Sequence, residues 1–228
     1  PLLGDMYLGR IRMWNDPRIR ALNPGVNLPA VAVAPVYRAD SSGTTSIFTT
    51  YLASVNLPFN TTIGAGSSVS FRAGIGAPGN AGVAGSIRNT RGGIGYVEYA
   101  YATENNMQTP QLQNRSGAWV RPSSAAFAAA AATANWATAP NMAASMINTA
   151  GAANWPIVSA TYILLPKNPA DASQSLKVMQ FFDWAFRSGQ GAVDSLHYIA
   201  LPAAVQNQVR QRWCQVRSGG RPVWTGCH

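Results

Sequence analysis

Apolar positions along the chain switch between a helical and an extended period, and the switches mark out its elements. Leu3, Tyr7, Ile11 and Trp14 recur at helical spacing, and Asn15-Asp16-Pro17 reads as the end of that helix. A connection rich in Pro, Asn and Gly (Asn23-Pro24-Gly25, Leu28-Pro29) leads to Val31-Ala32-Val33-Ala34-Pro35-Val36-Tyr37, which predicts a buried strand. Ser41-Ser42-Gly43-Thr44-Thr45 then gives way to Ile47, Phe48, Tyr51 and Leu52, the apolar face of a second helix. Residues 64–95 are glycine-rich, and the run from Ile94 to Ala100 predicts a strand or a strand-to-helix junction. Ser123 or Ser124 is placed to cap an alanine-rich helix.

Beyond Gly151, the stretch from Trp155 to Leu165 carries the strongest strand pattern in the chain. Leu176, Met179, Phe182 and Phe186 mark another helix with Gly189 past its end. Val205, Val209 and Trp213, at i, i+4 and i+8, mark a last one. Strands alternating with helices predict an α/β fold rather than an all-α or all-β one. No internal repeat is present.

Composition narrows the class. Of 228 residues, 47% are hydrophobic and 11% charged, which excludes a disordered charged tail. No run of 18 apolar residues exists, so no membrane-spanning segment is expected. Seventeen basic residues against eight acidic ones give a net charge of +9. Such an excess suits an anion, an anionic surface or nucleic acid, or is simply a basic surface. The basic residues are scattered, except at Arg210, Arg212, Arg217 and Arg221, and no RNP-like motif, zinc finger or basic heptad helix accompanies them. Nucleic acid is therefore not an expected partner.

Both cysteines, Cys214 and Cys227, lie near the C-terminus, around the turn-forming run Arg217-Ser218-Gly219-Gly220-Arg221-Pro222. A disulfide would fit an oxidising compartment; two free thiols are the alternative. The spacing of these cysteines with His197 and His228 matches no zinc signature, so no metal is expected. Pro1 opens the chain without a charged n-region or an apolar h-region, so any signal peptide is expected to have been removed already.

The segment Arg38-Ala39-Asp40-Ser41-Ser42-Gly43-Thr44-Thr45 bears most of the candidate chemistry. It joins a strand to a helix start, where unpaired N–H groups and the positive end of the macrodipole meet. Gly43 permits close backbone approach, Ser42 and Thr44 add hydroxyl donors, and Arg38 offers a planar fork suited to a tetrahedral oxyanion. Asp40 can orient Arg38, although it also repels an anion. The segment reads either as an anion cradle or as a capped helix beside a surface Arg–Asp pair.

Other signals are weaker. Gly74-Ile75-Gly76-Ala77-Pro78-Gly79 matches GxGxxG, with Glu98 nineteen residues later. No clear strand precedes it, Pro78 sits inside it, and Gly82 and Gly85 weaken a following helix, so it reads as a packed glycine-rich loop and no nucleotide cofactor is expected. No GxSxG or HExxH occurs, His197 reads as structural, and the carboxylates form no evident pair. No catalytic residue is assigned.

The run from Val36 to Thr45, with Ile47-Phe48-Thr49, resembles the phosphate-binding loop of the PstS family, the substrate-binding proteins of bacterial phosphate ABC transporters. Four further segments agree in order: Leu3 to Ile11, Gly76 to Ala84, Gly93 to Ala102, and Trp155-Pro156-Ile157 with Phe181-Phe182-Asp183-Trp184-Ala185. The resemblance implies an α/β periplasmic-binding-protein fold of type II, a two-lobed hinged clamp. Residues 1–154 would form the phosphate-binding lobe, and residues 155–228 a crossover strand and part of the other lobe. It implies that Arg38, Ser42, Gly43 and Thr44 contact phosphate, with Asp40 orienting Arg38. The family's N-terminal segment, with its glycine-rich loop and acidic proton acceptor, has no counterpart here, so the chain resembles the C-terminal two-thirds of such a protein.

The expected function is thus non-enzymatic binding of inorganic phosphate in the periplasm and delivery to the membrane permease subunits of an ABC importer. A binding protein for another oxyanion such as sulfate is the closest alternative. A phosphate-ester hydrolase using the same cradle is a more distant one, because no nucleophile or metal cluster is found.

Overall fold

The computed structural model describes residues 1–227; His228, named above with the metal reading, lies outside them. The chain divides into two compact units, Pro1–Pro110 and Gln111–His228.

The first unit opens with α1 (Leu2–Tyr7) and α2 (Pro17–Leu22). The single helix expected through Trp14 is instead interrupted at Gly9, which takes a left-handed φ of +71°. Asn15-Asp16-Pro17 begins a helix rather than ending one. The Asp16 side chain accepts from the Arg18 N–H as N-cap, and Pro17 occupies the first helical position, where its missing N–H costs nothing. There follow β1 (Ala34–Arg38), α3 (Gly43–Val55), α4 (Leu57–Thr62), β2 (Ile75–Ala77), α5 (Gly79–Asn89), β3 (Gly93–Gly95) and α6 (Tyr99–Glu104). The strands form a parallel sheet in the order β2-β1-β3, with Val36 opposite Ile75 on one side and Gly95 on the other. This is the α/β class that the alternation of patterns predicts.

Two expectations about the glycine-rich stretch change. A strand does run through the GxGxxG segment, and a helix does follow despite Gly82 and Gly85. Burial outweighs weak propensity here: Val83, Ala84 and Ile87 of α5 pack on the sheet with Val36, Ala77 and Val97. Gly74 has φ +107°, and a Cβ there would lie 2.2 Å from the Pro35 carbonyl oxygen, so only glycine lets β2 come this close to β1. Beneath the sheet's C-terminal edge, Tyr7, Phe48, Phe71 and Tyr96 form an aromatic cluster, with Phe48 and Tyr96 stacked at 4.2 Å between centroids. At the opposite end of the sheet Trp14 donates its indole N–H to the Gly92 carbonyl at 2.9 Å.

The second unit contains β4 (Leu112–Gln113), β5 (Trp119–Val120), α7 (Ser124–Ala132), α8 (Ala172–Ser188), α9 (Gln190–Ser195), α10 (Ala203–Trp213), β6 (Arg217–Ser218) and β7 (Arg221–Pro222). Ser123 is the cap of the alanine-rich α7, its hydroxyl accepting from the Ala126 N–H. One core gathers Ala131, Trp136, Met142, Met146 and Val205, with Val158 and Val209 against it. A second gathers Met179, Trp213, Val216, Val223 and Trp224. The first core draws residues from both sides of position 154, so the compact units divide the chain earlier than the lobe assignment does.

The strand expected from Trp155 to Leu165 is not formed. A β-strand needs a partner main chain, and among the described residues none pairs with this stretch. Trp155 and Pro156 are buried, while Tyr162, Ile163 and Leu164 are exposed, Leu164 to 91%. Cys214 and Cys227 are joined in a disulfide across the β6–β7 hairpin.

Candidate anion site at the end of β1

The order β2-β1-β3 makes the carboxyl end of β1, beside β3, a topological switch point, the place where open α/β sheets hold ligands. Arg38 is the last residue of β1, and four residues later Ser42 caps α3. The Ser42 hydroxyl accepts from the Thr45 N–H at 3.2 Å and is 5% exposed, so its own proton remains to be donated. Gly43 and Thr44 are the first two residues of α3, and their N–H groups have no partner within the helix. A methyl added at Gly43 would meet nothing within 4 Å, which leaves the mouth of the loop open.

The Arg38 side chain makes three hydrogen bonds to two partners. Its Nε donates to Asp40 Oδ1 at 2.9 Å, its Nη2 to Asp40 Oδ2, and its Nη1 to Asn80 Oδ1 at 3.3 Å. These bonds engage three of the five guanidinium N–H groups and leave two for a ligand. Asp40 also accepts from the Gly79 N–H at 3.0 Å, and so serves as a tertiary cap for α5, whose own N-cap, Pro78, supplies no side-chain bond. The Arg38 guanidinium, aided by that N–H, holds the Asp40 carboxyl far below the usual carboxylate range. Residues 38–44 thus supply fixed positive charge, unpaired helix N–H groups and a hydroxyl, groups suited to binding an oxyanion.

All five residues that sequence reasoning singled out, Arg38, Asp40, Ser42, Gly43 and Thr44, thus lie in one loop. It missed Asn80, 42 positions from Arg38 along the chain, and Tyr96, 58 positions away. The Tyr96 hydroxyl accepts from the Arg38 N–H at 3.1 Å and shares a hydrogen bond with the Thr45 hydroxyl at 2.8 Å. Burial pushes its pKa up, outweighing the opposing hydrogen bonds from Thr45 and Arg38. No local signal marks either residue; only the sheet brings them to the loop.

Residues 3–188 match the PBP superfamily domain. The chain belongs to the PBP superfamily. It is 42% identical over 213 residues to the phosphate-binding protein PstS of Xylella fastidiosa (strain Temecula1), covering 93% of this chain and 58% of that protein. It is 42% identical over 225 residues to PstS of Pasteurella multocida (strain Pm70), covering 98% and 65%. This PBP superfamily member therefore spans less than two thirds of the length of these relatives. Among solved structures, a DING protein superposes with a TM-score of 0.71 at 19% identity, covering 98% of this chain and 69% of the other. A phosphate-bound periplasmic phosphate-binding protein (PfluDING) superposes at 0.62 with 22% identity, covering 98% and 68%. These two likenesses establish the fold.

Proposed function

We propose that this chain is the anion-holding part of a non-enzymatic phosphate-binding protein that works in the periplasm and delivers inorganic phosphate to the permease subunits of an ABC importer. The observation that carries the reading is the loop from Arg38 to Thr44. Its residues carry two guanidinium N–H groups, two helix N–H groups and the Ser42 hydroxyl that are free to donate, and relatives named for phosphate binding are 42% identical to the chain. Arg38, Ser42, Gly43 and Thr44 contact the anion in this reading. Asp40 keeps the planar Arg38 fork aimed, and the loop holds its ligand without any covalent step. Among the described residues no helix is long and apolar enough to cross a membrane.

Calorimetric titration of the natural full-length protein with inorganic phosphate, alone and against sulfate, tests the reading. Phosphate is expected to bind and to displace sulfate. Arg38→Ala is expected to weaken phosphate binding by about 2–5 kcal/mol, the typical cost of removing one partner of a buried charged contact. Phosphate affinity unchanged in that variant would remove Arg38 from the site. Preferential binding of sulfate would make the chain a binding protein for that oxyanion instead.

A further inference from the structure

Arg38 and Ser42 are joined through Tyr96 and Thr45, the Thr45 side chain bonding Tyr96 and its main-chain N–H bonding Ser42. Neighbouring N–H groups of a strand point to opposite sides. That of Ala39 goes to Ala77 in β2 at 3.0 Å, and that of Arg38 goes to the Tyr96 hydroxyl at 3.1 Å. The ladder between β1 and β3 has already ended at Gly95, so the Tyr96 side chain supplies the acceptor that the strand no longer provides. The same hydroxyl bonds Thr45, which is 1% exposed, and the Thr45 N–H is the donor that the Ser42 hydroxyl accepts. The Tyr96 ring is clamped against Phe48 at 4.2 Å, with Tyr7 and Phe71 nearby, so the hydroxyl has little freedom to move.

We propose that Tyr96 is a positioning residue for the anion site: its hydroxyl ties the Arg38 main chain to the first turn of α3 and so fixes the gap between the guanidinium and the α3 N–H groups. The inference rests on the phosphate reading above. Tyr96 does not itself reach the ligand; it acts through Arg38 and Thr45. A phenylalanine would fill the aromatic cluster equally well, which makes the hydroxyl separable from the packing.

The test uses Tyr96→Phe, Thr45→Val and Thr45→Ser in the natural full-length protein, titrated with inorganic phosphate, with urea unfolding measured alongside. Tyr96→Phe, which loses the bonds to Arg38 and to Thr45, is expected to raise the phosphate Kd about tenfold, and Thr45→Val, which loses only the bond to Tyr96, by a smaller factor of about threefold or more. The double variant is expected to be no weaker than Tyr96→Phe alone, and Thr45→Ser, which keeps the hydroxyl, is expected to retain affinity. A purely structural hydroxyl would instead move the urea midpoint and leave the Kd of the folded protein within twofold, and that result overturns the proposal. Additive losses in the double variant, or Thr45→Ser as weak as Thr45→Val, overturn it too. If Tyr96→Phe does not fold, the Thr45 pair carries the comparison. A parent protein that does not bind phosphate overturns the phosphate reading itself, a separate outcome from variants that match a binding parent.

Discussion

At the scale of single residues, the proposed anion loop is built from donors whose other obligations are already met. Ser42 spends its lone pairs on capping α3 and keeps its proton, so Ser42→Ala removes one neutral donor and part of a cap. It is expected to weaken phosphate binding by about 1–3 kcal/mol, less than Arg38→Ala, when both are titrated side by side. Asp40 behaves differently. Its carboxyl pKa is lowered in the fold, so the stabilisation from its pairing with Arg38 is fully present above the unfolded value, near 4, and is lost as pH falls below that towards the folded value. Arg38 stays charged throughout. The pair is therefore intact from about pH 5 to 9, and Asp40→Asn is expected to change the urea stability by a constant amount across that range. Profiles of parent and variant that diverge within it would show that Asp40 titrates where its surroundings should keep it ionised.

At the scale of elements, what the sequence disclosed depended on whether a signal was local. Caps were legible to within a residue: of Ser123 and Ser124 the structure uses Ser123, and Ser42 caps the helix that follows its serine pair. The candidate loop from Arg38 to Thr44 could be singled out because the five residues proposed for it lie within seven positions. Asn80 and Tyr96 were not, because each reaches the loop from another element of the sheet. Asp16-Pro17 was misread because the pair punctuates a helix at either end, and only the position of the next apolar residue, Ile19, tells which. The stretch from Trp155 to Leu165 has a strand's pattern and no strand, because pattern specifies a face and not a partner. The C-terminal hairpin β6–β7 is closed by a bond between residues 13 apart, and the chain-entropy model assigns such a closure about 3 kcal/mol. Replacing both cysteines with serine is expected to lower the urea stability by about that amount. Thiol reagent is expected to leave the denatured, unreduced protein unlabelled; two labels per chain would mean the bond is absent.

At the scale of the whole molecule, eight of the thirteen large apolar side chains exposed among the described residues belong to the second unit. Leu164 is 91% exposed, Phe181 and Trp184 are each 57% exposed, and the rings of the latter two lie 5.9 Å apart. Surface of this kind favours association, and the relatives that the chain resembles are longer than it is. A polypeptide of residues 1–228 expressed by itself is expected to self-associate and to bind phosphate poorly. Sizing chromatography with a phosphate titration checks this. A monomer that unfolds cooperatively and binds at micromolar affinity or better would show that these residues make a complete site.

The placement of indole rings has an optical consequence. Trp14, held by the Gly92 carbonyl, is the single tryptophan of Pro1–Pro110, and the other six of the seven belong to Gln111–His228. Intrinsic emission excited in the indole band therefore watches the second unit and is nearly blind to the first. The anion loop rests on Tyr96 and Phe48, so its occupation should register in the near-ultraviolet circular dichroism of tyrosine while the emission maximum stays still. Trp14→Phe is expected to leave most of the emission in place, and a loss of more than half would mean that the other six are quenched.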